Sequence, residues 1–428
     1  MPNWFGGLIG EKNSFEVINK EQPVLLKVVF PDEGLFMDKY GKAFMLRYPN
    51  VSFEVITAAP GRNRLSILEP GEAVEMLERN QPDVLLLNPP AYARLASEGR
   101  LVELDNWLKQ DRFDLNSFDS KIVTSLRQIA GGSLYGLSPE VERMGLYYNR
   151  ELFETYGVPL PLSRMSWSEI MQLASRFPAG IAEKRIYGLS VASLSTPGQL
   201  IKHMGETNGL TFFDATNQTL TMQTDGWQAV WKEGLDGFRR GYVLWENPPG
   251  QNLFLAGQVA MTLQPFSFVS TITAAAPSMS WDVVTEPVNL AAPNVSSTFN
   301  IPMIHAINAK SSSIQAAWEL LKFINSKEIA AKLLRERQDV PLLARRQQLL
   351  DYVKSTRTTA SVDVFYDLEP GAWNTDVYGK GVPGFNRALL ETMDNTASDV
   401  LKGDKTVTEA LRSIEQRMME VLLKSVDH

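Results

Sequence analysis

The chain has 428 residues, which is enough for two lobes that each bury a sizeable core, so a two-domain α/β protein is the starting expectation. Its 42 basic and 49 acidic residues give a net charge of −7 without a long basic block, which argues against nucleic acid as a partner. There is no cysteine, and the three histidines (His203, His305 and His428) leave little zinc chemistry. No disulfide, metal or cofactor is expected.

The chain start, MPNWFGGLIGEKNSFEV, has neither the charged nor the apolar region of a secretory signal. The sequence therefore predicts either a cytosolic protein or a mature form whose signal has been removed. No run approaches the roughly 18 to 20 apolar residues of a membrane span. Residues 1 to 22 are polar and patternless, and they are expected to form a flexible lead.

The ordered part is expected to begin with a β-α-β unit. Val24 to Phe30 is a near-continuous apolar run, typical of a buried parallel strand. Leu35 to Tyr48 has apolar residues at mostly helical spacing, and Val51 to Ile56 alternates as a second strand. The crossover between two parallel strands of one sheet is right-handed.

The same alternation continues with a helix at Gly71 to Asn80, a buried strand at Asp83 to Leu87 and a short helix at Tyr92 to Gly99. Open α/β sheets bind ligands beyond the carboxyl ends of their strands. The candidate ligand-binding residues at these positions are Asp32, Glu33, Asn88 and Tyr92. The alternative for all four is a role in turn formation, since Asp and Asn next to proline favour turns.

The segment Leu134 to Phe153 joins two apolar runs through Pro-Glu-x-Glu-Arg, and a helix start follows at Asn149. Such a strand-to-strand crossing is typical of a hinge between two lobes. Glu142 and Arg143 are therefore candidate ligand contacts, although a solvated loop is the other interpretation. The nearby carboxylates Glu140 and Glu142 also leave a glycosidase as an alternative, but two carboxylates at i and i+2 of one strand do not lie across a glycosidic bond.

The second half predicts further elements. They are a capped helix from Ser166 to Phe177, a strand at Ile186 to Val191, two short strands joined by a turn within Phe212 to Met222, a helix at Gly226 to Gly241, a helix end that turns at Gly257 into a strand within Phe254 to Leu263, a strand at Phe299 to Asn308, helices at Ser313 to Asn325 and Ser326 to Arg337, and a C-terminal amphipathic helix capped by Thr406 and Glu409.

The phosphate-loop, dinucleotide, metalloprotease and nucleophile-elbow motifs are all missing, so an enzyme is not expected. Aromatic residues with polar neighbours outside regular elements are the stronger chemical signal. They are Trp245, Phe266 with Gln264, and Trp373. Sugar rings stack on aromatic faces and their hydroxyls need amide or carboxylate partners, which this mixture supplies. For each aromatic residue alone, packing inside a lobe is the alternative.

The chain resembles the extracellular solute-binding proteins of ABC sugar importers, the family-1 group that includes maltose-binding proteins. The resemblance extends from Val24 to the C terminus. It rests on Tyr48-Pro-Asn-Val51, Pro82-Asp-Val-Leu, Leu134-Tyr-Gly-Leu137, Leu146-Tyr-Tyr-Asn149 with Glu151-Leu-Phe153, FLAGQVAMT from Phe254 to Thr262, and AAWELLKFI from Ala316 to Ile324.

The resemblance implies an α/β fold with two discontinuous lobes joined by three hinge crossings, and a ligand in the cleft. The crossings fall near Ser138 to Glu142, Ser297 to Asn300 and Gln338 to Leu343. The N-lobe would comprise residues 23–138 and 300–340, and the C-lobe residues 139–299 and 341–428. The family's export signal and lipid-anchoring cysteine are missing, which implies a trimmed mature form.

The implied function is capture of a carbohydrate, an oligosaccharide, and its delivery to the transmembrane subunits of an ABC permease. The protein would be an extracellular monomer, either periplasmic or held at the cell surface by a lipid anchor that this chain lacks. A carbohydrate-active enzyme and a binding protein for a peptide or phosphorylated solute remain alternatives. Arg143 could pair with an acidic sugar, or it could hold Glu140 or Glu142 in place.

Overall fold

The computed structural model describes residues 18, 21–57, 68, 70–178, 185–194, 196–214, 219–336, 340–355, 360–371 and 385–426. These residues form two compact units. Unit 1 comprises Met1–Asp111, Tyr135–Leu137 and Ile304–Ile329, and unit 2 comprises Arg112–Leu134, Ser138–Met303 and Ala330–His428. Both units are discontinuous in sequence. The predicted N-lobe also includes residues 112–134, 138, 300–303 and 330–340, which belong to unit 2, and the predicted lobe boundaries stay a prediction.

The strands follow one another along the chain. They are β1 Val24–Phe30, β2 Val51–Thr57, β3 Val84–Leu87, β4 Gly136–Leu137, β5 Glu140–Val141, β6 Met144–Asn149, β7 Tyr187–Ser190, β8 Phe213–Asp214, β9 Thr219–Leu220, β10 Val243–Leu244, β11 Val259–Pro265, β12 Trp281–Thr285, β13 Val295–Ser296, β14 Ile304–Ile307, β15 Leu342–Leu343 and β16 Glu369–Pro370.

The α-helices are interspersed between them. They are α1 Glu33–Phe36, α2 Lys42–Arg47, α3 Pro70–Asn80, α4 Pro89–Ser97, α5 Asp105–Gln110, α6 Ser120–Ile129, α7 Arg150–Tyr156, α8 Trp167–Ala174, α9 Pro197–Thr207, α10 Asp225–Arg239, α11 Phe268–Ala275, α12 Ile314–Ile324, α13 Lys327–Glu336, α14 Arg346–Ser355, α15 Phe385–Lys402 and α16 Val407–Val426.

Unit 1 is built on a five-stranded sheet in the order β2-β1-β3-β14-β4. β1 pairs in parallel with β2 and with β3, which confirms the predicted β-α-β unit. β14 runs antiparallel to β3 and to β4. The carboxyl ends of β1, β2, β3 and β4 therefore lie at one edge of the sheet, together with the start of β14. Most apolar side chains on both faces of β1 and β3 are buried, as expected of central strands in a sheet that is covered on both faces.

Unit 2 is built on a second five-stranded sheet in the order β10-β7-β11-β6-β12. β7 pairs in parallel with β10 and β11, whereas β6 runs antiparallel to β11 and β12. The carboxyl ends of β7, β10, β11 and β12 therefore meet the start of β6 at one edge. The core beside this sheet contains the fully buried Trp167, Trp227 and Trp231, and Gly205 leaves room for the Trp227 indole, which an added Cβ would meet at 2.3 Å.

Several local predictions are confirmed. Asn149 caps α7 by accepting the Glu151 N–H at 3.0 Å, and Ser166 and Glu169 form the predicted capping box of α8. Thr406 and Glu409 exchange the same pair of bonds at the start of α16, at 2.8 and 3.2 Å. These signals act within one helical turn and therefore do not depend on tertiary context.

Three predictions need correction. The predicted helix from Leu35 to Tyr48 is interrupted by a π-helical segment at Met37–Gly41, where the Met37 side chain occupies the space that a Cβ on Gly41 would take. The predicted helix end at Gly257 is not formed: residues 253–257 form hydrogen-bonded turns, and Gly257 has a φ of 73°. The predicted strand at Phe299 to Asn308 is shorter, because β14 begins only at Ile304.

Candidate functional site

The predicted polar residues of unit 1 lie at the carboxyl edge of its sheet. Asp32 follows β1 and caps α1, since its carboxylate accepts the Leu35 N–H at 2.8 Å. Asn88 follows β3 and caps α4 by accepting the Ala91 N–H at 2.9 Å. Glu33 is exposed in the first turn of α1. Both caps have the turn-forming role that the sequence left open, and ligand contact by these residues stays a prediction.

Tyr92 differs from these three because its side chain is fully buried within unit 1. Its hydroxyl accepts the N–H of Tyr135 at 3.0 Å. The ring extends from α4 into the packed interior of unit 1, and the hydroxyl provides the hydrogen-bond acceptor for the backbone N–H of Tyr135, just before β4. A direct ligand contact by Tyr92 stays a prediction that would require this packing to change.

Unit 2 brings together the segments that the sequence analysis predicts as hinge crossings. β5 pairs antiparallel with β15, with Val141 opposite Leu342. Glu142 and Asn300 exchange two backbone hydrogen bonds of 2.9 and 3.0 Å, and the Asn300 side-chain amide donates to the Glu142 carboxylate at 3.2 Å. The Glu142 side chain is exposed. Segments that are far apart in the sequence, 158 residues in the case of Glu142 and Asn300, thus form one hydrogen-bonded assembly.

Arg143 lies next to this assembly and is 5% exposed. Its guanidinium donates to the Leu368 carbonyl at 2.8 Å and lies over the Phe299 ring at 4.7 Å from the centroid. Burial lowers the pKa of Arg143, and the nearby Glu286 carboxylate acts in the opposite direction. The contacts of Arg143 therefore support the segment that carries Phe299, and neither Glu140 nor Glu142 is its hydrogen-bond partner among the described contacts.

Glu286 follows β12 and is 1% exposed. Its carboxylate accepts the backbone N–H of Ser297 at 2.7 Å and that of Thr298 at 3.2 Å, and the Thr298 hydroxyl donates to the other carboxylate oxygen. Burial raises the pKa of Glu286 to about 7, against the lowering effect of these donors and of Arg143. Glu286 is thus a buried carboxyl group that ionises near neutral pH.

Two other predicted residues lie at the end of β11. Phe266 is 2% exposed, its ring meets the edge of Phe365 at 5.2 Å, and its N–H donates to the Arg143 carbonyl at 3.2 Å. Gln264 is half-buried and donates to the Thr262 hydroxyl at 3.1 Å. The structure therefore brings Gln264, Phe266 and Arg143 to the same edge of the unit 2 sheet.

Of the two predicted tryptophans, Trp245 and Trp373, the structure describes only Trp245. Trp245 follows β10 at that carboxyl edge and is 37% exposed, with its ring against the edge of Phe238 at 5.0 Å. One side of the indole thus packs on unit 2 and the remainder faces solvent, as expected of a stacking platform. Trp373 lies outside the described residues.

A cavity of about 660 Å³ lies within unit 2. Its walls come from the end of α6, the end of α9 with the turn after it, residues between 289 and 301, and Gly371. Hydroxyl and amide side chains dominate the polar part of its lining, and they include Gln128, Thr207, Asn289, Ser297, Thr298 and Asn300. Phe299 supplies an aromatic ring, and none of the lining residues is Lys or Arg.

None of the nine described candidate residues lines this cavity directly. Two lining residues connect the candidate residues to the cavity. Asn300 pairs with Glu142, and Phe299 lies beneath Arg143. Sequence reasoning missed Glu286, although it follows a strand just as Asp32 and Asn88 do, so the same rule could have found it. The cavity had no such signal, because its walls come from distant parts of the chain.

Within the described ranges, no group of three or more acidic or histidine side chains is placed to hold a metal ion. The helices in those ranges include none that is both long enough and apolar enough to cross a membrane.

Solved structures of low sequence identity share this fold. An ABC substrate-binding protein from Listeria monocytogenes in complex with cycloalternan is 18% identical, with a TM-score of 0.64 and coverage of 93% of this chain and 99% of that one. The sugar-binding protein MalE from Xanthomonas citri is 16% identical, with a TM-score of 0.65 and coverage of 94% and 98%. UgpB from Mycobacterium tuberculosis in complex with glycerophosphocholine is 19% identical, with a TM-score of 0.62 and coverage of 94% and 99%.

The likeness to these structures establishes the two-lobed binding-protein fold. Residues 72–358, more than half of the chain, match the family model for bacterial extracellular solute-binding proteins. The chain therefore belongs to the family of bacterial extracellular solute-binding proteins.

Proposed function

We propose that this protein captures a carbohydrate, an oligosaccharide, outside the cell and delivers it to the transmembrane subunits of an ABC permease. The observation that carries the proposal is the cavity of about 660 Å³ in unit 2, with its hydroxyl and amide lining. Its volume suits a ligand of several rings rather than an ion. Two of the similar structures, one in complex with cycloalternan and one named as a sugar-binding protein, support the same class of ligand.

The chemistry of the lining favours a neutral polyhydroxylated ligand. Asn289, Asn300 and Gln128 offer amide donors and acceptors, and Phe299 offers a ring for the C–H face of a sugar. The lining includes one carboxylate, Glu206, which pairs with Lys202 one helical turn away. Lys and Arg side chains, which commonly bind phosphate, are not among the residues that line this cavity.

The candidate residues at the two sheet edges are proposed as further ligand contacts. In unit 2 these are Glu142, Gln264 and Trp245, with Arg143 and Phe266 supporting them from buried positions. In unit 1 they are Asp32, Glu33 and Asn88, with Tyr92 behind them. A ligand favours the conformation that it binds more tightly, and a change from mostly one conformation to mostly the other needs about 5 kcal/mol of differential affinity.

Two alternatives remain in the proposal. A non-sugar ligand is supported by the glycerophosphocholine complex of UgpB, whose fold is similar. A carbohydrate-active enzyme is less favoured, because members of this family bind solutes and because Glu140 is buried whereas Glu142 is exposed. The two carboxylates therefore do not face a common substrate position.

The proposed site of action is the cell exterior or the periplasm, in agreement with the family, and a lipid anchor and a monomeric state belong to the proposal. Light scattering of the purified chain at micromolar concentration tests the monomer. A mass above that of one chain would contradict it.

A thermal-shift screen tests the ligand class. A ligand at 100 times its Kd stabilises the folded form by about 2.7 kcal/mol, which raises the melting temperature measurably. The panel comprises neutral oligosaccharides, uronate sugars, peptides, glycerophosphodiesters and inorganic phosphate. Stabilisation by a neutral oligosaccharide alone is expected, and stabilisation by a peptide or phosphodiester alone would overturn the carbohydrate assignment. Chromatography of the best sugar after prolonged incubation should show no product, since turnover would identify an enzyme.

A further inference from the structure

The Glu286 carboxyl group holds two consecutive residues of the 296–300 segment. It accepts the N–H groups of Ser297 and Thr298 and the hydroxyl of Thr298. Three donors on a single buried carboxyl group leave this stretch little freedom to move.

The same network extends in two directions. The N–H of Met144, at the start of β6, donates to the Thr298 hydroxyl at 3.0 Å. The N–H of Phe299 donates to the Ser296 hydroxyl at 3.0 Å. Glu286 thus connects the end of β12, the start of β6 and the backbone that carries Phe299. Ser296 to Ile301 all line the cavity, so the network fixes one wall of it.

We propose that Glu286 is the positioning residue of this wall, and that its protonation state sets how firmly the 296–300 segment is held and how tightly the ligand binds. The part concerning the ligand rests on the proposed function. The part concerning the segment does not.

The charged group that faces Glu286 is the Arg143 guanidinium, whose field favours the ionised carboxylate. Arg143 in turn is influenced by Glu286 and also by Asp119, Tyr366 and Glu369. Burial outweighs the attraction of Arg143 and of the hydrogen-bond donors, so the pKa of Glu286 is raised from 4.5 to about 7. The folded environment therefore favours the protonated acid.

The direction of the pH effect follows from linkage. A local opening of the 296–300 segment would expose Glu286 to water and return its pKa to its ordinary value. The opened form then binds fewer protons than the closed form between pH 4.5 and about 7, so opening is favoured as the pH rises through that window. For these two pKa values the opening equilibrium should increase on the order of 50-fold between pH 5 and pH 8.

Hydrogen exchange of the ligand-free full chain tests this effect. Protection factors of the Ser297 and Thr298 amides, corrected for intrinsic exchange, are measured at pH 5, 7 and 8 in the wild type, in Glu286→Gln and in Glu369→Gln. The wild type should lose about 50-fold protection, in line with linkage. Glu286→Gln should show a flat profile, because its carbonyl still accepts both N–H groups and its amide donates to the Thr298 hydroxyl, yet it does not ionise.

Glu369→Gln is the matched control, since it removes an exposed carboxylate that also acts on Arg143 but bonds none of the segment's amides. Its profile should follow that of the wild type. Parallel profiles for the wild type and Glu286→Gln would overturn the proposal.

Calorimetry with the best sugar of the thermal-shift screen tests the effect on ligand binding. Glu286→Ala should weaken binding at pH 7 by about tenfold or more, and Glu286→Gln should remain within about twofold of the wild type. Equal affinities of the wild type and Glu286→Ala would overturn the role in ligand positioning. If Glu286→Ala does not fold, a wild-type affinity that falls between pH 7 and pH 8.5, with a constant affinity in Glu286→Gln, supports the role, and parallel affinities contradict it. If no sugar binds, the carbohydrate assignment fails while hydrogen exchange still decides the role of Glu286.

Discussion

Glu142 and Asn300 are joined by two backbone hydrogen bonds of 2.9 and 3.0 Å and by a side-chain bond of 3.2 Å. The backbone pair holds two segments of unit 2 together, and the exposed Glu142 carboxylate contributes only the third and longest of these contacts. Structural and ligand-binding roles are therefore separable at Glu142. A substitution of its side chain leaves the backbone pair in place.

We expect Glu142→Ala to change the free energy of unfolding by less than about 0.5 kcal/mol, as is usual at exposed positions. If Glu142 contacts the sugar, the affinity measured by calorimetry should fall by about tenfold, the value of one charged hydrogen bond. Glu420→Ala, which removes an exposed carboxylate on α16, is the control and should leave the affinity unchanged. A wild-type affinity in Glu142→Ala would remove this residue from the ligand site.

Arg143→Ala should have the opposite pattern, with a large loss of stability. The substitution leaves the buried Leu368 carbonyl without the guanidinium donor at 2.8 Å and removes the cation nearest to Glu286. Breaking such a buried arrangement costs about 2–4 kcal/mol, measurable by urea unfolding. Arg240→Ala removes an exposed arginine whose partner lies four residues away on the same helix, and should cost less than about 1 kcal/mol. Equal costs for the two variants would contradict a supporting role for Arg143.

Features with a local sequence pattern could be predicted, whereas long-range contacts such as those of Arg143 could not. β1 and β2 and the caps at Asn149 and Ser166 are correct because their signals lie within a few neighbouring residues. Arg143 is a candidate from the sequence because it follows a proline-marked crossing. Its buried hydrogen bond to the Leu368 carbonyl joins two residues that are 225 positions apart. A pairing of that range leaves no local pattern.

The cavity is the clearest case of this limit. It depends on four parts of the chain, near residues 128, 207, 297 and 371, that only the fold brings together. Its polar lining residues look like ordinary helix ends and loop positions in the sequence. Only Glu286 carried a usable signal, because a polar residue directly after a buried strand marks the carboxyl edge of a sheet.

Asn88 offers a test that separates helix capping from ligand contact. Asn88→Ala removes the acceptor of the Ala91 N–H and should cost about 1 kcal/mol of stability. Asn88→Ser keeps a capping oxygen but shortens the side chain, so stability should stay within a few tenths of a kcal/mol of the wild type. A loss of sugar affinity in Asn88→Ser at unchanged stability would establish ligand contact, whereas full affinity would leave Asn88 with its capping role alone.

If Trp245 stacks on the sugar as proposed, Trp245→Ala should lower sugar affinity by about tenfold, because the substitution removes one contact between an aromatic ring and a sugar ring. Tyr156→Ala is the matched control in unit 2: its ring is 40% exposed, against 37% for Trp245, and it packs on the edge of Phe177 much as Trp245 packs on Phe238. Both variants should lose comparable stability by urea unfolding. If both also retain the wild-type affinity, Trp245 does not stack on the ligand.

The buried histidines should make the folded state sensitive to acid. Burial lowers the pKa of His203 in unit 2 to about 4 and that of His305 in unit 1 to about 3, each from 6.5. Because the folded pKa lies below the unfolded one, the stability that each neutral imidazole contributes is complete above pH 6.5 and is lost as the pH falls below it. At pH 5 the loss should reach about 2 kcal/mol for each histidine.

This loss is measured by urea unfolding at pH 5 and pH 8 in the wild type and in His305→Leu. Glu286 opposes the histidines, since its raised pKa stabilises the fold as the pH falls toward 4.5, so the test compares variants rather than the wild type alone. The stability change between pH 8 and pH 5 should be about 2 kcal/mol more favourable in His305→Leu than in the wild type. Phe44→Leu, an apolar change in the core of unit 1, should lower stability by the same amount at both pH values. Identical pH dependence in His305→Leu and Phe44→Leu would contradict the lowered pKa of His305 in the folded state, because linkage requires a difference between the folded and unfolded pKa values.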